Sequence, residues 1–298
     1  MATHVEIIYE APENTLPGPL PTTSEILTSE RLYMKKVVGD ITVRVGTHYV
    51  VKYGTSSTQI REGENMLFVK QTTTIPVPTV YRIYKEGDKN FLVMEYVPGK
   101  TLKEVWPQLP LIGKQTFARQ IRRYIQELRA IPSPGYYGGL SEQGVLCPIL
   151  TFKMFTEKPI RLLVNKPSRT ETEWCAMMLD AAEAMNPGEL PVQTFWVQEK
   201  LRSILSEGHE PKFTHCDIVD RKNHILRPDG VIVPLDWEHA GWYPSYWEYC
   251  LASALPWQKD DWGESIMDIF KDMEYVVELG WMIFFRKRMR DVFFTSLW

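Results

Sequence analysis

The sequence predicts an α+β protein, with a small antiparallel β region and one helix in its first third and a larger, mainly helical remainder. Three observations carry that prediction. Short β-branched runs separated by glycine fill residues 34–53, apolar residues recur at helical spacing from Leu111 to Ile131, and the composition turns helical after Pro98-Gly99. At 298 residues, 44% hydrophobic and 24% charged, the chain has the length and apolar content to bury a sizeable core.

Residues 1–28 hold four prolines and no sustained periodicity, and are expected to form a loosely docked arm with one helical turn near Ser24–Glu30. Met34 to Val38, Ile41 to Val45 and Tyr49 to Tyr53, punctuated by Gly39-Asp40 and Gly46-Thr47, read as an antiparallel meander. Lys52 stands inside the last run, between apolar neighbours. From Ser57 to Gln71 the pattern is helical, with Ile60, Met66, Leu67 and Val69 on one side and Glu62 and Glu64 on another. A helix after a lysine-bearing strand can set a glutamate against that lysine. Ile75-Pro76-Val77-Pro78 ends the helix, and two further strands flank a Gly87-Asp88 turn.

The change of composition divides the chain into an arm (1–28), a first lobe (29–97) and a second lobe (98–298). In the second, Thr101 is placed to cap a short helix, Leu111 to Ile131 forms a long one, and Pro132 to Gly144 forms a loop. Thr151 to Pro167 and Thr170 to Met185 read as helical or mixed, Phe195 to Ser206 as a helix, and Asp260 to Gly280 and Trp281 to Phe294 as two final helices.

Chemistry is concentrated between Phe213 and Trp237. A short strand runs into His215-Cys216-Asp217, and a polar turn through Asp220, Arg221, Lys222 and Asn223 follows. An apolar strand, a Pro228-Asp229-Gly230 turn and a second strand then end at Asp236. Asp and Asn are common turn residues in their own right. A carboxylate at the inner end of a strand is costly unless paired or metal-bound, so Asp217 and Asp236 point further, to a site that binds a metal and aims a nucleophile.

Several classes are excluded. A net charge of −3 and a pI near 6.1 leave no electrostatic footprint for nucleic acid, and the one dense basic run, Arg286 to Arg290, reads as a solvated helix face. Cys147, Cys175, Cys216 and Cys250 form no CxxC pair, which argues against a zinc cluster or a disulfide framework. No charged-then-apolar leader and no apolar run of ~18 residues is present, so a cytoplasmic location without membrane association is expected.

The order of a strand lysine, a helix glutamate, IPVP, an apolar MEY segment, H-x-D, an Asn and a later strand-end Asp resembles the aminoglycoside phosphotransferase and choline kinase branch of the protein-kinase-like fold. The likeness covers roughly Val43 to Ala254, and the tail DWEHAGWYPSYWEY is similar to fungal members of unassigned substrate. It implies a bilobal fold and an ATP- and Mg2+-dependent transfer of the γ-phosphoryl group to a hydroxyl of a small molecule. By the resemblance, Lys52 matches the lysine that holds the ATP phosphates and Glu64 its ion-pair partner, with Glu62 the second choice. Glu95, Tyr96 and Val97 match the hinge that meets adenine. Asp217 matches the catalytic aspartate, His215 the residue that braces its loop, and Asn223 and Asp236 the two magnesium ligands. A protein substrate is disfavoured, because no APE-like end follows Asp236.

The acceptor is expected to lie near the C-terminal helices. Asp260, Asp261, Glu264, Asp268 and Asp272 would favour a cationic group, and Trp242, Trp247, Trp257 and Trp262 would offer flat apolar surface. Two departures leave an alternative open. Where the family reads H-G-D with the Asn five residues after the Asp, this chain reads HCDIVDRKN, with Asn223 six residues after Asp217. Either the loop absorbs the extra residue, or Lys222 takes the ligand position. In the second case the scaffold serves as a ligand-binding pseudokinase or as a non-kinase enzyme of secondary metabolism.

Overall fold

The computed structural model describes residues 4–32, 40–146, 165–185, 208–254 and 260–295. The runs Met34–Val38 and Phe195–Ser206, most of Thr151–Pro167, and residues Cys147 and Trp257 fall outside them, as do the side chains of Arg286 to Arg290. The chain divides into two compact units, Met1–Pro107 with Arg221–Glu238, and Gln108–Asp220 with His239–Trp298. The division therefore falls after Pro107 rather than at 97/98, and a later segment returns to the first unit. Backbone pairing explains both differences. Strand β6 (Lys100–Thr101) pairs with β8 (His224–Leu226), which pairs in turn with β9 (Ile232–Pro234). Gly99 permits that approach, since a Cβ there would stand 2.4 Å from the Leu226 carbonyl oxygen.

In the first unit, β1 (Val5–Glu10), β2 (Ile41–Val45), β3 (Tyr49–Gly54), β4 (Val80–Glu86) and β5 (Lys89–Glu95) form one antiparallel sheet in the order β1-β4-β5-β3-β2. Residues 5–28 are thus no loose arm. β1 is an edge strand on β4, and helix α1 (Thr23–Thr28), closed by a Thr22–Glu25 capping box, buries Ile26. The cause is strand periodicity. Tyr49, Val51 and Tyr53 turn their side chains to the face opposite Lys52, and Ala11, Leu16, Leu20 and Ile26 cover that apolar face. Proline suits such an extended covering chain, and Gly18 anchors it by accepting a hydrogen bond from the Tyr49 hydroxyl at 2.5 Å.

Helix α2 (Thr58–Thr72) covers the other face with Met66 and Val69. Gly63 sits at the closest approach, where a Cβ would meet Ile83 Cδ1 at 2.5 Å and Leu92 Cδ1 at 3.0 Å. Because Leu92 pairs with Lys52 across the sheet, the lysine is on the helix side.

The second unit is mainly helical. Helices α4 (Leu111–Ala130, after the short α3, Leu102–Val105), α5 (Glu171–Met185), α6 (Trp247–Ser253), α7 (Trp262–Ile269) and α8 (Val276–Thr295) accompany a two-stranded sheet of β7 (Pro211–Thr214) and β10 (Gly241–Pro244). α4 buries Phe117, Ile121, Tyr124, Ile125 and Leu128, the stripe its spacing predicts. The last two helices are separated at residues 270–275, earlier than their composition suggests. Trp262 packs against Phe117 of α4, while Trp281 packs against Trp247 of α6, so the two aromatic helices serve different neighbours. Among the described residues no helix is long and apolar enough to cross a membrane.

Candidate active site

In the first unit, Lys52 on β3 is bonded on two sides. Its Nζ lies 2.8 Å from Glu62 Oε1 and also donates to Asp236 Oδ1. Burial works against the ammonium, yet the carboxylates of Asp236, Glu62 and Glu238 together outweigh it and hold its pKa above the ordinary lysine value. Burial likewise pushes the Glu62 carboxyl up, opposed by Lys52 and reinforced by Asp236 and Glu238. Glu62, not Glu64, is therefore the glutamate set against Lys52. Glu62 shares the inward stripe with Gln59, Gly63, Met66 and Val69, whereas Glu64 lies two residues, about 200°, further round the helix. Of the stripe expected from the sequence, Met66 and Val69 are buried while Ile60 and Leu67 are half-buried, because much of the inward face of α2 is polar.

Asn223 and Asp236 are brought together by the β8–β9 hairpin. The Leu235 amide donates to the Asn223 carbonyl at 2.8 Å, one residue before Asp236. A 3-10 turn over Arg221–Asn223 leads into β8 with Asn223 buried and Lys222 exposed, so Asn223 faces inward. Asp236 has φ +60 and Cys216 has φ +72, two of the four non-glycine residues with left-handed backbone among those described. Strain of that kind collects at functional sites.

These oxygen donors fit a hard divalent cation. Three carboxylates, Glu62, Asp236 and Glu238, face one ammonium, an excess of negative charge that such an ion would offset. No group of three His, Cys, Asp or Glu side chains able to hold a metal occurs among the described residues.

Of the expected hinge residues, Glu95 donates its amide to Thr79 and Tyr96 to His48, each at 2.8 Å, leaving the Val97 amide without a backbone partner among the described residues. The Arg44 guanidinium stacks 3.8 Å above the Tyr96 ring.

In the second unit, β7 delivers His215, Cys216 and Asp217. His215 is fully buried, and its Nδ1 accepts from the Asp217 amide at 3.2 Å. One residue not singled out from the sequence completes this loop. Glu248 of α6 accepts from the His215 amide at 2.9 Å and the Cys216 amide at 3.0 Å with the same Oε2. Burial pushes its pKa up to about 7 against the pull of those amides and of Arg129. A lone acid in the apolar stretch WEYCLA was the available signal. Glu238, two residues after Asp236, also went unread; its charge at Lys52 becomes visible only in the fold.

Six of the residues expected to meet the acceptor have other contacts or burial. Trp242 is buried with its ring edge on Phe213, and Trp247 and Trp262 are core residues. Asp260 accepts from the Trp262 amide at 3.1 Å, Asp261 pairs with Lys114 at 2.6 Å, and Asp268 pairs with Arg122 at 2.7 Å. A cleft of about 370 Å³ between α4 and α7 is lined by both members of these ion pairs, so Asp261 and Asp268 are already matched by bases.

No protein-family model matches the chain, and no curated protein matches it. Solved structures do. A ternary complex of streptomycin, ATP and APH(2")-IIa covers 89% of this chain and 83% of its own, at 15% identity and a TM-score of 0.55. ADP-bound aminoglycoside phosphotransferase APH(2'')-Ib covers 88% and 81%, also at 15% and 0.55. An apo thermostable mutant of aminoglycoside phosphotransferase APH(4)-Ia covers 90% and 88%, at 11% and 0.58. The chain has the fold of the aminoglycoside phosphotransferases. In the terms of that kinase-like fold, the five-stranded sheet with α2 forms the smaller part and the helical unit the larger.

Proposed function

We propose that the protein is an ATP- and Mg2+-dependent phosphotransferase that moves the γ-phosphoryl group of ATP to a hydroxyl of a small molecule. The observation that carries this reading is Lys52 held between Glu62 and Asp236, beside the Asn223–Asp236 hairpin. Phosphoryl transfer leaves a protein little covalent work, so it needs charge neutralisation and alignment. Lys52, kept charged by its carboxylates, binds phosphate oxygens. Val97 offers its amide to adenine. Asn223 and Asp236 would hold magnesium, whose charge offsets that of the phosphates. Asp217 orients the acceptor hydroxyl and takes its proton, help worth ~10²–10⁴-fold, with its loop fixed by His215 and Glu248.

The structural neighbours bound to ATP, ADP and streptomycin support a nucleotide and a small-molecule acceptor. A cytoplasmic site of action belongs to the same proposal and is supported by the buried cysteines Cys175, Cys216 and Cys250, which form no disulfide among the described residues. The alternative, a scaffold that binds ligand without transfer, draws on the strained Cys216. Asn223 in the inward position favours the working enzyme. Asp217→Asn tests the assignment: a folded variant should lose at least a hundredfold in ATP turnover, and unchanged turnover would remove Asp217 from the reaction.

A further inference from the structure

The segment leading into β7 carries a charged cluster that the proposed chemistry does not use. His209 Nδ1 lies 2.7 Å from Glu171 Oε1, and its Nε2 lies 3.0 Å from Glu278 Oε1. The His209 amide donates to the second Glu171 oxygen at 3.0 Å. Only 14%, 4% and 14% of the side chains of His209, Glu171 and Glu278 remain exposed. Glu171 opens α5, Glu278 lies in the first turn of α8, and His209 stands two residues before β7. One imidazole thus joins three segments far apart in sequence.

An ionised carboxylate only accepts, and an imidazole with one proton donates from one nitrogen and presents a lone pair at the other. With both acids ionised and the ring neutral, one of the two contacts would set lone pair against lone pair. Both contacts are hydrogen bonds only when the cluster holds an added proton, on the ring or on a facing carboxyl. Burial raises the Glu171 pKa, with the bonds to His209 opposing it, which also favours retaining a proton here.

Among the described residues, the surroundings supply no substitute cation. Tyr137 donates its hydroxyl to the His209 carbonyl at 2.8 Å, and Tyr246 and Tyr275 present their rings at 4.8 and 6.1 Å. The thiols of Cys175 and Cys250 lie near Tyr246. Glu210 is paired with Lys212, and Arg129 is bonded to Ser245 and Tyr275.

We propose that Glu171, His209 and Glu278 form a proton-dependent clasp, which ties α5 and α8 to the approach of the catalytic loop while it holds an added proton and loosens when that proton leaves. β7 runs directly from the clasp into His215, Cys216 and Asp217, so its state bears on how firmly that loop is held. The sign follows from linkage. The unfolded chain keeps the same added proton on its imidazole up to pH ~6.5 and binds more on its carboxyls only near pH ~4.3, so the closed clasp holds the extra proton only above pH ~6.5; its contribution is complete between those values and is lost as pH rises further.

Thermal and denaturant unfolding of the full chain from pH 5 to 9 tests this, with wild type, His209→Gln and Glu278→Gln compared. An amide at 278 can donate to the ring nitrogen, so Glu278→Gln needs no added proton. Relative to both variants, the wild-type folding constant should fall with rising pH, by up to about tenfold per pH unit where the proton leaves, and Glu278→Gln should be the more stable protein at pH 9. A purely structural contact would lower Glu278→Gln equally at every pH. Parallel pH profiles for wild type and Glu278→Gln would overturn the proposal, and that comparison decides even if His209→Gln does not fold.

Discussion

The ammonium of Lys52 lies 2.8 Å from Glu62 Oε1 while also bonded to Asp236, so one cation ties α2 and the end of the β8–β9 hairpin to the middle of the sheet. Because Asp236 remains to balance Lys52 when Glu62 is neutralised, Glu62→Gln should fold and lose about 1–3 kcal/mol of stability, the cost of an impaired buried polar contact. Glu64→Gln should stay within about 0.5 kcal/mol of wild type, as expected away from the pair. Urea unfolding of the two variants checks the order, and a larger loss for Glu64→Gln would contradict it.

Cys216 occupies a left-handed conformation where the resembled family has glycine. Cys216→Gly should relieve about 1–2 kcal/mol of backbone strain and forfeit a similar amount of side-chain burial and chain entropy, leaving the melting temperature nearly unchanged. Cys216→Val adds a branch at Cβ and should cost about 2 kcal/mol or more. The contrast between the two melting temperatures is the readout.

Glu248 supplies a pH dependence with a defined sign. Its folded pKa, pushed up to about 7, exceeds the unfolded carboxyl value, so the native state keeps a proton that the unfolded chain releases. Its contribution is therefore full below about pH 4 and is lost as pH rises to about 7, by roughly 3 kcal/mol. Glu248→Gln should show a flatter stability profile across that window, measured by denaturant midpoints at pH 4, 5.5 and 7.

Lys222 and Asn223 differ in burial, and that difference is testable. Lys222 is exposed and Asn223 buried beside the hairpin, so Lys222→Ala should leave stability within about 0.5 kcal/mol and leave magnesium-dependent nucleotide binding intact. Asn223→Ala should abolish the magnesium dependence. Titration calorimetry with ATP, with and without magnesium, separates the two, and the opposite pattern would place Lys222 at the ligand position.

Much of this was legible in the sequence because it depends on local spacing. The strands around Lys52, the capped helix at Thr101, the amphipathic α4 and the Pro228-Asp229-Gly230 turn each follow from patterns a few residues long. Choices decided by tertiary packing were harder to read. Glu62 and Glu64 both precede IPVP, and only the close fit of Gly63 on Ile83 and Leu92 fixes which one faces inward. Residues 5–28 looked loose because their partner, the Tyr49–Val51–Tyr53 face, lies far along the chain. Asp261 and Asp268 looked available to a cation because their bases, Lys114 and Arg122, are more than a hundred residues away.

The central claim is that Lys52, Asn223 and Asp236 bind magnesium and ATP. Melting the purified protein with and without millimolar magnesium-ATP tests it most directly, since a ligand that binds only the native state at 100 times its Kd stabilises by about 2.7 kcal/mol. The account predicts a rise of several degrees in wild type that requires magnesium and disappears in Asp236→Asn. No rise in wild type would contradict it.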